Sequence, residues 1–264
     1  MKKWLRIALI VLFSAIFLIS GYRLADYFYE SKKQASTFDA LADMVAAVPT
    51  ETAPAKPASP TEPAESAPPA IAQPLPEYLE VSALNPDMVG WMRIEDTKIN
   101  YPVMQTPDNP DYYLHTDFYG NYTIHGCLYA EEDCDINLPS DNITIYGHHM
   151  GDGSMFAGLM KYKNKSYWED HRYIVFDSLT EHHTYEIFAV LTTTASKGKG
   201  FTYHQFINAK NQQEFDEFVR DCQQLSLYDT GIVPGYGNKL ITLSTCEYSQ
   251  QNGRLVVVAV CIDQ

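Results

Sequence analysis

The sequence has no Cys-x-x-Cys pair and no His-x-x-x-His spacing, so it lacks the local ligand patterns of structural zinc, thioredoxin-like redox chemistry and helical zinc peptidases. It is also short of positive charge. Nineteen Lys and Arg stand against 33 Asp and Glu, for a formal net charge of −14, which argues against nucleic acid or anionic lipid as the main partner. A cationic amine substrate would not be repelled by that field. No internal repeat is present, and no small-x-small cleavage site follows the first apolar run, where Tyr22, Arg23 and Leu24 stand instead. An uncleaved anchor is favoured over a signal peptide on that ground. Adjacent histidines such as His148 and His149, or His182 and His183, cannot easily chelate one ion together. No metal and no cofactor are expected.

What is there divides into four stretches. Lys2, Lys3 and Arg6 precede an apolar run from Ile7 to about Ser20, short for a bilayer span, with the charges predicting a cytoplasmic amino terminus and an extracellular remainder. We read 1–24 as cytoplasmic tip and transmembrane anchor. Residues 25–48 have helix-forming composition and read as a membrane-proximal helix or stalk. The stretch 49–76 holds nine of the fifteen prolines among Ala, Thr, Ser and Glu, and reads as an extended spacer. Residues 77–264 are long enough for one compact domain.

Within that domain, strand-like segments recur at Lys98–Val103, Gly126–Ala130, Asn142–Tyr146, Tyr173–Asp177, Tyr185–Thr193, Lys239–Thr245 and Leu255–Val260. Turn residues separate most of them, which predicts a mainly β barrel or sandwich. Glu77–Val89 is expected as a short helix. Gln212–Leu225 places Phe215, Phe218, Val219, Cys222 and Leu225 on one stripe of an amphipathic helix.

Five cysteines are an odd number, so at least one thiol is unpaired unless chains cross-link. Cys127 and Cys134 could bridge; Cys222 and Cys261 read as small buried hydrophobes. Cys246 is the candidate free thiol. It ends the alternating run from Lys239, and Asn252 and Gly253 supply turn chemistry before the apolar run that begins at Leu255. An antiparallel hairpin would set Arg254 across from Cys246, a nucleophile beside an anion stabiliser. On the hairpin alone, a buried cysteine and a surface arginine explain the pattern equally well. A second segment adds an acid–base group: the strand Asn142–Tyr146 breaks at Gly147 into His148 and His149. Thiol, imidazole and guanidinium at strand ends are the parts of acyl transfer through a thioester.

The segment "ITLSTCEYSQQNGR" resembles the TLxTC active-site strand of sortases, and "IYGHHMGDGSMF" resembles their catalytic-histidine segment. "VGWMRIEDTKINYPVMQ" with "NPDYYLHTDFYG" is similar to the amino-terminal part of class B sortases. The resemblance covers about Leu75 to the carboxyl terminus. It implies a closed sortase-like β-barrel with an N-terminal helical lead-in and an amphipathic helix before the cysteine strand.

It also implies roles. Cys246 would attack a threonine carbonyl in a sorting motif near the carboxyl terminus of a secreted surface protein. Arg254 and the backbone N–H of Glu247 would hold the oxyanion. His148, immediately after the glycine, would be the acid and base, and His149 a groove or surface neighbour. Ser244 and Thr245 could hydrogen-bond substrate backbone, and Tyr203 and Phe206 could wall the groove. The acceptor amine would belong to a peptidoglycan precursor, anchoring the protein to the cell wall; a pilin lysine, or water in a hydrolytic peptidase, are the alternatives. Glu131, Glu132, Asp133 and Asp135 read as a solvated acidic loop.

Overall fold

The computed structural model describes residues 2–48, 73–196 and 198–263. The spacer expected at 49–76 lies outside the described residues except for its last four. Two compact units are present, Met1–Ala40 and Leu41–Gln264. One helix, α1 (Lys2–Ala46), runs unbroken across the expected boundary at residue 24 and past the end of the first unit. Large apolar side chains of its amino-terminal half, Trp4, Ile10, Phe13, Phe17 and Ile19 among them, are exposed. By length and composition α1 can cross a membrane.

The second unit is built on eight strands. They are β1 (Met88–Arg93), β2 (Asn100–Met104), β3 (Leu128–Ala130), β4 (Asn142–Tyr146), β5 (Tyr173–Ser178), β6 (Thr184–Thr194), β7 (Leu240–Glu247) and β8 (Gly253–Cys261). They close into a barrel in the order β1-β2-β3-β4-β7-β8-β6-β5, with β5 paired back to β1. Closure leaves no sheet edge open to another chain. Two neighbours are parallel, β2 with β3 and β4 with β7; the other pairs are antiparallel. Of the mainly β barrel or sandwich expected from the turn spacing, the fold is the barrel, closed as the family resemblance implies.

The helical lead-in is shorter than expected. Pro76 opens α2 (Pro76–Leu84), at a position where a missing N–H leaves no bond unmade. Pro86 then ends it, because the residue before a proline is driven out of helical geometry: Asn85 sits at φ −146°, ψ 111°. Met88 and Val89, expected in the helix, belong to β1 instead. Two short helical segments had no counterpart in the strand reading, a 3-10 stretch at Phe156–Lys163 and α3 (Lys165–Asp170).

The amphipathic helix is α4 (Gln212–Leu225), with Asn211 as its N-cap, accepting from Glu214 N–H at 3.1 Å. Phe215, Phe218, Val219 and Cys222 bury against Phe188, Ala189 and Leu191 of β6 and Val256, Val258 and Val260 of β8. Each such apolar side chain contributes about 1.5–3 kcal/mol on full burial. Leu225, expected on the same stripe, is exposed at the helix end. Because the barrel is covered here, β8 is buried from Leu255 onward.

β7 departs from the half-buried pattern in the same way. Two of its interior polar positions are satisfied: Thr242 donates to Asn142 Oδ1 at 2.7 Å, and Ser244 shares a 2.6 Å bond with the Tyr203 hydroxyl. No disulfide joins Cys127 and Cys134. Both are buried thiols, and Cys134 Sγ instead donates to the Asn142 carbonyl at 3.5 Å. Burial pushes the Cys134 thiol up to about 11 and that of Cys127 further still, so neither is a ready nucleophile.

Candidate active site

The register of two strand pairs builds the site. In the β7–β8 hairpin, Cys246 lies directly across from Arg254, and Glu247 across from Gly253 closes the last rung. Gly253 cannot be replaced without moving that rung, since a Cβ there would stand 2.3 Å from the Glu247 carbonyl oxygen. Asn252, in the left-handed region at φ 54°, turns the loop before it.

On the other side of β7, β4 runs parallel, with Tyr146 beside Ser244. Gly147 N–H extends the ladder by donating to the Ser244 carbonyl at 3.1 Å. A Cβ on Gly147 would lie 2.5 Å from Leu128 and 2.7 Å from Phe156, so the close passage of the chain requires glycine. Beyond it, both histidines are delivered to the cysteine end of β7.

They take different places there. His148 Nε2 stands 2.7 Å from the Leu114 carbonyl oxygen. A carbonyl only accepts, so Nε2 carries the proton and Nδ1 of the neutral ring keeps its lone pair. The His115 ring stacks on His148 at 5.6 Å between centroids, tilted 26°. Burial lowers the pKa of His148, and the charges of His115 and His125 lower it further against the opposing bond to Leu114. His149 Nδ1 donates to the carbonyl of Cys246 itself at 3.1 Å, and its ring stacks on Tyr248 at 5.2 Å. His149 is thus more than the bystander the sequence suggested, since it braces the backbone of the cysteine.

Cys246 is half-buried and in no disulfide. Arg254 is half-buried, with Nη1 donating to the Gly253 carbonyl at 3.1 Å. Both residues act on a cluster of tyrosines. Cys246 raises and Arg254 lowers the pKa of Tyr129 and of Tyr203, each dominated by burial. Tyr129 leans on Tyr146 at 5.3 Å between centroids. Tyr146 in turn donates a short hydrogen bond to Glu131, whose carboxyl burial pushes up to about 7. The sequence places Glu131 in a solvated acidic loop, whereas in the fold it is a half-buried partner of the site wall. No spacing signal announces it, because its partner lies fifteen residues away on the neighbouring strand.

The remaining expected residues divide. Thr245 is buried and its Oγ1 has no hydrogen-bond partner among the described residues, leaving a donor beside the thiol. Ser244 is equally buried, but its hydroxyl is taken by Tyr203. The Glu247 side chain is buried, 2.7 Å from Lys163 Nζ, and accepts from Ser249 N–H and Oγ–H at 3.1 and 2.6 Å. The Lys163 bond comes first in holding its carboxyl below the usual range. These bonds clamp the chain just after the thiol. Phe206 donates its N–H to the Tyr203 carbonyl at 3.2 Å, and its ring stacks on Phe218 of α4 at 4.0 Å.

The sortase domain family model matches residues 92–262, from late β1 past the end of β8. Sortase B of Listeria monocytogenes is 30% identical over 258 residues, covering 97% of this chain and 96% of that protein. The chain is a class B sortase. The Staphylococcus aureus sortase B–substrate complex is similar at a TM-score of 0.74 and 25% identity, covering 89% of this sortase and 98% of that chain. Sortase B from Bacillus anthracis in complex with AAEK1 is similar at a TM-score of 0.71 and 28% identity, covering 90% and 100%. This sortase is accordingly an enzyme, a cysteine transpeptidase.

Proposed function

We propose that this sortase cleaves a carboxyl-terminal sorting motif after threonine and passes the acyl group to a peptidoglycan amine, anchoring surface proteins to the cell wall, with Cys246, His148 and Arg254 as its catalytic residues. The observation that carries it is the pairing of Cys246 with Arg254 at the strand end that β4 supplies with histidine. A substrate complex of a similar sortase B supports binding of a sorting signal on this barrel.

The steps balance as follows. Nδ1 of neutral His148 takes the Cys246 proton as sulfur adds to the threonine carbonyl. The oxyanion is held by Arg254 and by the Glu247 N–H, which the Lys163 and Ser249 contacts keep in place. His148 then returns the proton to the departing amine as the C–N bond breaks, leaving a thioester. The incoming amine gives a proton to His148, adds to the thioester, and expels sulfur, to which His148 returns the proton. One oxyanion donor is worth about 2.7–4 kcal/mol of barrier. Thr245 Oγ1, unpartnered among the described residues but buried, would bond substrate backbone only once the groove opens over it, and Ser244 acts through Tyr203.

The exposed apolar face of α1 supports a single-pass membrane tether with the catalytic unit outside. Mass spectrometry of the protein with a sorting-peptide library and a diaminopimelate- or glycine-containing amine tests the whole reading. A thioester on Cys246 that is discharged faster by amine than by water is expected. Release with no rate gain from amine would make the protein a hydrolytic peptidase, and acceptance of only a pilin lysine would make it a pilin polymerase.

A further inference from the structure

At the end of β8 away from the active site, three unlike metal-ligating groups converge. Nδ1 or Nε2 of His183, Sγ of Cys261 and a carboxylate oxygen of Asp263 lie within 4.8 Å of one another. Cys261 is seven residues beyond Arg254 along β8, which puts this cluster about 23 Å from the catalytic pair at 3.3 Å per residue. It therefore belongs to no part of the site already described.

The histidine is arranged as a ligand is. Its Nε2 stands 3.4 Å from the Glu181 carboxylate, which fixes that nitrogen as the donor. Its Nδ1 is buried and has no hydrogen-bond partner among the described residues. A buried nitrogen lone pair without a donor is costly, and few are left so in folded proteins. A carboxylate on one ring nitrogen with the other turned to a cation is the supporting arrangement found around metal-bound histidines. The other two groups are also held. Asp263 accepts from Thr184 N–H at 2.8 Å through Oδ2, and its Oδ1 takes the Cys261 thiol at 3.2 Å.

We propose that His183, Cys261 and Asp263 form a zinc site, with Glu181 as the outer carboxylate. One nitrogen, one sulfur and one oxygen suit a borderline ion such as Zn²⁺ better than calcium or magnesium, which take oxygen ligands. Ligand atoms around tetrahedral zinc, bonded at about 2.0–2.3 Å, stand about 3.3–3.7 Å apart. Side-chain movement of about 1 Å closes the set, and water completes the fourth position. Cys261 binds as thiolate; its proton, now shared with Asp263, leaves to solvent. The ion would tie the chain beyond β8 to the β5–β6 connection, a structural role distinct from the thioester chemistry.

The test uses the full chain in detergent with Cys246→Ala, so that the catalytic thiol contributes nothing, after removal of metal by chelator. Titration with Zn²⁺ against a chromophoric chelator should find one equivalent bound and a raised unfolding temperature. Co²⁺ should give thiolate-to-cobalt charge-transfer absorption. Cys261→Ser and the surface variant Asp263→Asn should each weaken zinc binding at least tenfold, and Glu181→Gln about 10- to 100-fold. His182→Gln, altering the adjacent imidazole, should leave affinity unchanged. No stoichiometric zinc on the parent, no thiolate band, or equal affinity in Cys261→Ser and Asp263→Asn would each overturn the site.

Discussion

β8 has a sulfur and an imidazole near each of its ends, and the two neighbourhoods differ in the charge of the third partner. At the Arg254 end, a guanidinium faces Cys246 across the ladder. At the Cys261 end, the carboxylates of Asp263 and Glu181 flank the thiol and the ring. A cation beside sulfur favours thiolate and meets the negative charge of an acyl-transfer intermediate. Anions beside sulfur disfavour bare thiolate and invite a cation to share it. On the readings proposed above, the same two side-chain types would serve a nucleophile at one end and a ligand set at the other. What decides is one neighbouring sign, together with burial: Cys246 is half-buried, Cys261 buried.

That contrast breaks most visibly at the thiol. Cys246→Ala should abolish covalent capture of a fluorogenic sorting peptide, while Cys261→Ser leaves capture intact; gel-shift or intact-mass analysis reads both. Arg254→Lys keeps the charge but loses the donor fork. Turnover should fall on the order of 10²–10³ with peptide affinity little changed, measured by kcat and KM in parallel.

The two histidines sharpen the comparison within the catalytic end. His148→Ala should be inactive in the same assay. His149→Ala loses one hydrogen bond to the Cys246 carbonyl, worth about 0.5–1.5 kcal/mol, and should slow turnover only some two- to twelvefold.

His115→Phe keeps the stacked ring and removes its charge. That charge lowers the pKa of His148, so its loss should raise it. The acid limb of the kcat/KM profile, set in the proposed mechanism by the need for neutral His148, then moves to higher pH. The sign for stability is the same. A histidine held neutral in the folded state binds fewer protons than the unfolded chain, so it costs stability as pH falls below the ordinary histidine range. The smallest effect belongs to the far end: Asp263→Asn should leave turnover within about twofold of the parent, whatever it does to zinc.

Much of this was legible along the chain. β4 and α4 coincide with their expected spans, and the Cys246–Arg254 register follows from one hairpin. These are local signals, carried by period and by turn residues. β1 was missed because its apolar residues adjoin helix formers, and Pro86 marks the break only when the Asn85 conformation is considered. The supports of the site were not legible. Leu114 offers a backbone carbonyl, which no side-chain pattern encodes, and it meets His148 across 34 positions. Glu131 looked like one acid among four until its strand neighbour Tyr146 gave it a hydroxyl. Ser244 and Thr245, side by side in one motif, differ only in whether another segment supplies a partner, Tyr203 in the first case.

The parallel contact of β4 with β7 also governs when reactivity can arise. His149 and Cys246 are separated by 97 positions, and nothing local draws them together. Such distant pairings form late, since the intervening loop must be closed before any contact rewards it. A half-folded chain therefore carries its sulfur and its imidazole as strangers. During refolding, peptide capture should return in step with barrel closure and never ahead of it, so that chemical competence doubles as a clock for completion of the fold.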